Sequence, residues 1–367
     1  MTLPGIGTSV LRQREGLGLS ASIVAGDAGM STARLREIES GQAPTTWEIA
    51  KLAHALGTDA AALWRGDNES SAKRSTARFR APSGVNKLSP QDTRLLARLA
   101  EAGRILGYLR SQLGQPPSTI SQNRAVKALD PQPEAWEQGY LLGAKARFAL
   151  APERRPILSI QACLESLGAH VATVELEATD ILAASLYEPG AAPVIALNKR
   201  AARVRMPMSR RAVLAHELCH LLHDGGENDL LTLVSRQNER EPHEQRANGF
   251  APSFIVPGGW LPMEVADPRD QAVETARTWG LSFEGATWHL KNAGRITPKQ
   301  AEALLPSPEL VSEDGFEPPT EREPIAPLSS DIEPTPLTAG LLSDVVLRAF
   351  KADLISRARA VEILRLR

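Results

Sequence analysis

Three residues in the run Val213-Leu214-Ala215-His216-Glu217-Leu218-Cys219-His220-Leu221-Leu222-His223-Asp224 carry the most chemistry in this chain. On a helix, positions i and i+4 share a face, so His216 and His220 can offer imidazole nitrogens to one metal ion. Glu217 sits one position round, where its carboxylate can reach a water on that ion. This is the H-E-x-x-H pattern, with two ligands for zinc and a general base for hydrolysis. The plain alternative is a buried helix whose histidines pack or bond to carbonyls. Apolar residues at helical spacing (Val213, Leu214, Leu218, Leu221, Leu222), Ser209 as N-cap and Gly225-Gly226 as a stop predict a helix from Arg210 to Asp224.

A catalytic zinc takes three protein ligands and keeps a fourth position open, so a third ligand is needed. Glu244 lies on the first turn of a second predicted helix, with Ala247, Phe250 and Ala251 following at adjacent helical positions. His243 precedes it, and His223 shares the face of His216 and His220 one turn further on. All three are candidates, and the sequence leaves the choice open. His223, beside the Gly-Gly stop, suits a cap or a carboxylate partner better than a ligand.

The pairing of the histidine helix with the later Glu244-Gln245-Arg246-Ala247-Asn248-Gly249-Phe250-Ala251, ending at Pro257, resembles the ImmA/IrrE family of metallopeptidases. Upstream, Pro193-Val194-Ile195-Ala196-Leu197-Asn198 is similar to that family's apolar strand ending in Asn. The likeness covers about residues 135 to 300. It implies a zincin-like α+β domain, Zn(2+) held by His216, His220 and Glu244, and Glu217 as catalytic base. Pro252, Ser253 and Val256 depart from the family's small helix formers and Leu-Leu-Met-Pro ending. The Val194–Asn198 strand is expected to align an extended substrate by edge pairing. Tyr187, near that strand, is a candidate for stabilising the oxyanion.

The start of the chain has a different rhythm. Leu19, Ala25, Leu35, Ile38, Ile49, Leu52, Leu56 and Leu63 trace short amphipathic helices with a tight turn at Gly29, which is helix-turn-helix geometry. Residues 6 to 66 resemble the XRE/Cro-type DNA-binding domain, with Ala21 in place of that domain's usual Gln. The resemblance makes Thr32 to Ser40 the recognition helix and puts Thr32, Ala33, Arg34 and Arg36 nearest the groove. Charge offers this reading little support, because residues 1–67 hold six Lys/Arg against seven Asp/Glu. Residues 68–110 carry nine Lys/Arg against three acids, and Lys73 to Arg80 could lie along phosphate or be a solvated linker.

At 367 residues, 42% apolar and with a net charge of −1, the chain has room for two or three packed domains and is no general polyanion binder. Two cysteines, Cys163 and Cys219, exclude a disulfide framework. The absence of a long apolar stretch or a leader-like start leads us to expect a cytoplasmic protein without membrane contact. The expected organisation is multidomain. An all-α helix-turn-helix domain (1–67) precedes a basic linker and an amphipathic connecting helix (68–133). An α+β metallopeptidase domain (134–306), an acidic Pro-rich linker (307–336) and a C-terminal helical tail (337–367) follow. The connecting helix, with Leu95, Leu96, Leu99, Ile105, Leu106 and Leu109 on one side, could bridge domains or pair in a homodimer.

Three functions fit these residues. The first is a zinc endopeptidase with a DNA-binding module, cleaving a repressor or other regulatory protein in stress or mobile-element control. In the second, an XRE-type transcription regulator uses the peptidase-like domain as a sensor or interaction module without proteolysis. The third is a toxin–antitoxin-like partner acting through protein contacts.

Overall fold

A computed structural model describes residues 5–65, 88–125, 132–224, 231–235, 241–263, 266–305, 316 and 340–364. The chain opens with five short helices: α1 (Ile6–Gly16), α2 (Ala21–Asp27), α3 (Thr32–Glu39), α4 (Thr46–Ala55) and α5 (Ala60–Arg65). Ser20, Ser31 and Thr45 cap α2, α3 and α4 by accepting backbone N–H groups, and Glu48 completes a capping box with Thr45. Gly29, at φ 61, makes the turn between α2 and α3. Val10, Val24, Leu35, Ile38, Leu52 and Leu56 close this bundle's core.

Helix α6 (Pro90–Gln112) ties the molecule together. Its first half, Leu96 and Leu99, joins the N-terminal core to a face of the sheet carrying Ala172, Val174, Ala184 and Ala196. Its second half, Ile105, Leu106 and Leu109, packs on the C-terminal helices. The helix thus contacts both the N-terminal bundle and the C-terminal helices. The basic stretch 73–80 lies outside the described residues, as does most of the acidic linker. Phe316, the one described residue of that linker, stacks on the Arg211 guanidinium 4.6 Å from its ring centre.

The second unit begins with α7 (Thr119–Asn123), α8 (Ala135–Leu150) and α9 (Ile160–Ser166), then strands β1 (His170–Val174), β2 (Ile181–Leu186) and β3 (Val194–Asn198). Helices α10 (Ala202–Arg205) and α11 (Pro207–His223), strand β4 (Leu231–Ser235) and helix α12 (Pro242–Ile255) follow. Then come α13 (Pro268–Trp279), α14 (Phe283–Asn292) and α15 (Pro298–Leu304). The sheet order is β1-β3-β2-β4, parallel between β1 and β3 and antiparallel elsewhere. Both faces are covered: even positions of β1 and β3 meet α6, while Val171, Ile195 and Leu197 meet the core around α11.

Several expectations need correction. Strand β3 is interior, flanked on both sides, so its backbone is spent on β1 and β2 and has no free edge for a substrate. Asn198 serves the fold, its side chain accepting from Leu176 N–H and donating to the carbonyls of Ala178 and Ile181. Strands β2 and β4 were not foreseen. Helix α11 starts one turn earlier than Ser209 suggests, because Pro207 is well placed at its first position. The C-terminal segment forms two helices, α16 (Leu341–Lys351) and α17 (Arg357–Leu364), broken near Asp353 at φ 55. They dock on α6 through Leu342, Val345, Val346 and Ile363, and Arg359 pairs with Asp59 before α5.

The crossing that places the site is α8 on α12. Glycines make it close: a Cβ on Gly139 would stand 1.8 Å from the Arg246 carbonyl oxygen, and one on Gly249 would stand 2.1 Å from that of Trp136. Backbone lies on the other side in both cases, so no side chain can yield. Gly139→Ala is expected to cost about 1–3 kcal/mol in urea unfolding by forcing α8 off α12. Wild-type stability in that variant would show that the two helices do not meet so tightly.

Candidate metal centre

Helix α11 carries His216 and His220 on one face, their ring centres 4.8 Å apart. Helix α12 brings Glu244 against them from its first turn. The two Nε2 atoms are 3.0 Å apart, Glu244 Oε2 is 3.2 Å from His216 Nε2, and Glu244 Oε1 is 3.6 Å from His220 Nε2. The opposite ring nitrogens face polar side chains: His216 Nδ1 lies 3.0 Å from Asn248 Oδ1 and His220 Nδ1 lies 2.8 Å from Asp224 Oδ2.

A proton on each Nδ1 would leave two imine lone pairs and a carboxylate converging on one point. The site is dry: His216, His220 and Glu244 are 6%, 2% and 1% exposed. Burial and the neighbouring His216 push His220 well below its usual pKa, so it is neutral. Burial alone would raise Glu244, but the close His216 and His220 rings hold it below the ordinary range. Glu244 Oε1 accepts no hydrogen bond among the described residues. Three electron-pair donors this close repel one another unless a cation sits among them. Tetrahedral zinc, with bonds of about 2.0–2.2 Å, spaces its ligand atoms by roughly 3.3 Å, so the residues fit the ion.

Glu217 lies on the sheet side of α11, beside Ser185 of β2, and is completely buried with neither oxygen accepting a hydrogen bond of good geometry. Burial raises its pKa well above the carboxylate norm, Ser185 opposes this, and the Glu244 charge adds to it. Of the other ligand candidates, His223 turns away, its Nδ1 facing the Ala125 carbonyl at 3.3 Å. His243 is partly exposed at the rim, its Nε2 3.5 Å from Glu244 Oε1 and outside the three-atom group. Tyr187 lies beneath the Arg124 guanidinium, 4.3 Å from its ring centre, which accounts for it without catalysis.

Residues 164–288 match the family model described as the IrrE N-terminal-like domain, a peptidase family. Residues 9–64 match a model described as a helix-turn-helix domain. The comparison with curated proteins returns no match. The chain thus joins a helix-turn-helix domain to an IrrE-like peptidase domain. His216, Glu217, His220 and Glu244 all lie within the IrrE-like match.

In the helix-turn-helix domain, the residues assigned to the groove are not equivalent. Ala33 and Arg36 are exposed and Thr32 half-buried. Arg34 is consumed by the protein: its guanidinium donates to both Glu48 oxygens (2.8 and 3.0 Å), to Glu37, to Gln42 and to the Ala43 carbonyl. That hydrogen bonding holds the Glu48 carboxyl down to about 2. Arg34 therefore locks α3 to the start of α4, leaving Arg36 as the exposed cation of α3. Sequence reasoning passed over Glu48, although the Thr45-x-x-Glu48 capping box marks it. It also passed over Asp224, at helical spacing from His220, and Ser185, whose strand was not foreseen.

Two outcomes follow. Metal-free protein should bind one zinc per chain and melt at higher temperature with it, and His220→Ala should lose that rise. Equal rises in both would contradict the assigned centre. Arg36→Ala should keep the wild-type melting temperature and lose about 1–3 kcal/mol of affinity for a duplex selected from a random pool, whereas Arg34→Ala should lower the melting temperature. The reverse pattern would return Arg34 to the groove.

Proposed function

We propose that this chain is a zinc-dependent endopeptidase fused to a DNA-binding module, acting in the cytoplasm on a repressor or other regulatory protein and so controlling transcription. The observation that carries the reading is the convergence of His216 Nε2, His220 Nε2 and a Glu244 oxygen within 3.0–3.6 Å, with Glu217 next on the same helix. A bound zinc supplies a Lewis acid that polarises the scissile carbonyl and acidifies water.

The residues of the chain do the rest. His216, His220 and Glu244 hold the ion, and Asn248 and Asp224 fix the two rings so that each Nε2 points inward. Glu217 takes a proton from the hydrolytic water on one carboxylate oxygen and returns it to the nitrogen of the leaving amine. Its burial, which raises its pKa, favours the second half of that cycle, in which it gives the proton up as an acid. Recognition of one regulator rather than of peptides in general agrees with a centre whose ligands are buried between α11 and α12.

The same enclosure favours a second reading. Glu217 has no exposed surface, and a domain that binds zinc without admitting a peptide would act as a sensor whose occupancy alters the helix-turn-helix domain. Glu217→Gln separates the two. It should keep its zinc and cleave a protein encoded nearby about 10²- to 10⁴-fold more slowly than wild type. Equal cleavage would exclude Glu217 as the base. No cleavage by either protein, with DNA affinity that depends on zinc, would support the sensor.

A further inference from the structure

The two histidines are held by partners of different character. His216 Nδ1 faces a neutral amide, Asn248, which can present oxygen or nitrogen to it. His220 Nδ1 faces a carboxylate, Asp224 Oδ2 at 2.8 Å, which when ionised can only accept. The ring nitrogen facing Asp224 must then carry the proton, and the Nε2 lone pair is left to face His216 and Glu244.

Asp224 is itself held from three directions. Its backbone N–H donates to the His220 carbonyl (3.1 Å). Its Oδ1 meets the guanidinium of Arg246, which also donates to the His223 carbonyl at 3.2 Å. Arg124 donates to the Asp224 carbonyl at 2.5 Å. Both Asp224 and the Arg246 side chain are buried, 8% and 3% exposed. The guanidinium and the carboxylate form a buried, charge-assisted pair. Arg246 stands two residues from Glu244, so one helix delivers a ligand and also secures the group that orients another.

We propose that Asp224, clamped by Arg246, is the positioning residue that fixes the tautomer and ring orientation of His220 for metal binding. The proposal rests on the metal-centre reading for its purpose, but its physical content can be tested without metal. An ion pair that merely finishes α11 would not care which His220 nitrogen bears the proton, whereas a positioning residue must. Asp224→Asn is nearly isosteric, but its amide can turn an N–H₂ towards Nδ1 and so favour the Nε2–H tautomer, which cannot ligate inward.

The experiment is long-range ¹H–¹⁵N correlation on the full chain with ¹⁵N-labelled histidine, metal-free, with zinc affinity measured by chelator competition. In wild type, His220 should be the Nδ1–H tautomer. In Asp224→Asn the Nε2–H form should be populated, and zinc affinity should fall about 10- to 100-fold with the fold retained by circular dichroism. A wild-type His220 protonated at Nε2, or an Asp224→Asn protein with the wild-type tautomer and affinity, overturns the proposal. Should Asp224→Asn not fold, the wild-type tautomer decides alone: Nδ1–H supports it, Nε2–H overturns it. If wild type binds no zinc, the metal-centre reading fails, while the tautomers still decide whether Asp224 positions the ring.

Discussion

The structure of the second unit is organised around one convergence. Two imidazoles and a carboxylate meet over 3.0–3.6 Å in a setting almost without solvent. The surrounding fold holds them there, and a cation among them would relieve their mutual repulsion. That hold is visible: α8 presses on α12 at glycines with no room for a Cβ, Asn248 and Asp224 grip the rings from behind, and Arg246 ties α12 to the end of α11. Chemistry at the centre and packing around it are therefore one constraint. Any change that lets α12 drift shifts Glu244 and Arg246 together.

The N-terminal unit depends on this body for burial. Helix α6 spends one half of its apolar stripe on the helix-turn-helix core and the sheet, and the other half on α16 and α17. Arg104 joins Glu101 of α6 to Glu188 beyond β2, at 2.6 and 2.8 Å, and Arg359 reaches Asp59. The helix-turn-helix domain, the peptidase-like domain and the C-terminal helices thus meet along one rod.

What the sequence disclosed follows from which interactions are local. His216, Glu217 and His220 were legible because their geometry is set by one helical turn, and the helix-turn-helix because its caps and Gly29 turn are written in short range. Glu244 needed a family resemblance, since nothing within α12 says which helix will face it. The edge role expected of Val194–Asn198 failed against a sign already present: a continuous apolar run without alternation belongs to a strand buried on both faces. Strand β2 was missed because Ile181-Leu182-Ala183-Ala184 lacks period-two alternation, being buried at every position between β3 and β4. The pairing of Arg34 with Glu48 was not legible because the two meet only when α4 folds back beside α3.

Zinc K-edge X-ray absorption on the purified full-length chain, loaded with one equivalent of zinc, tests the central claim most directly. The account predicts a low-coordinate site with two imidazole nitrogens and carboxylate oxygen at about 2.0–2.2 Å, and no sulfur. A spectrum of hexa-hydrated zinc, a sulfur shell, or a single imidazole would contradict it.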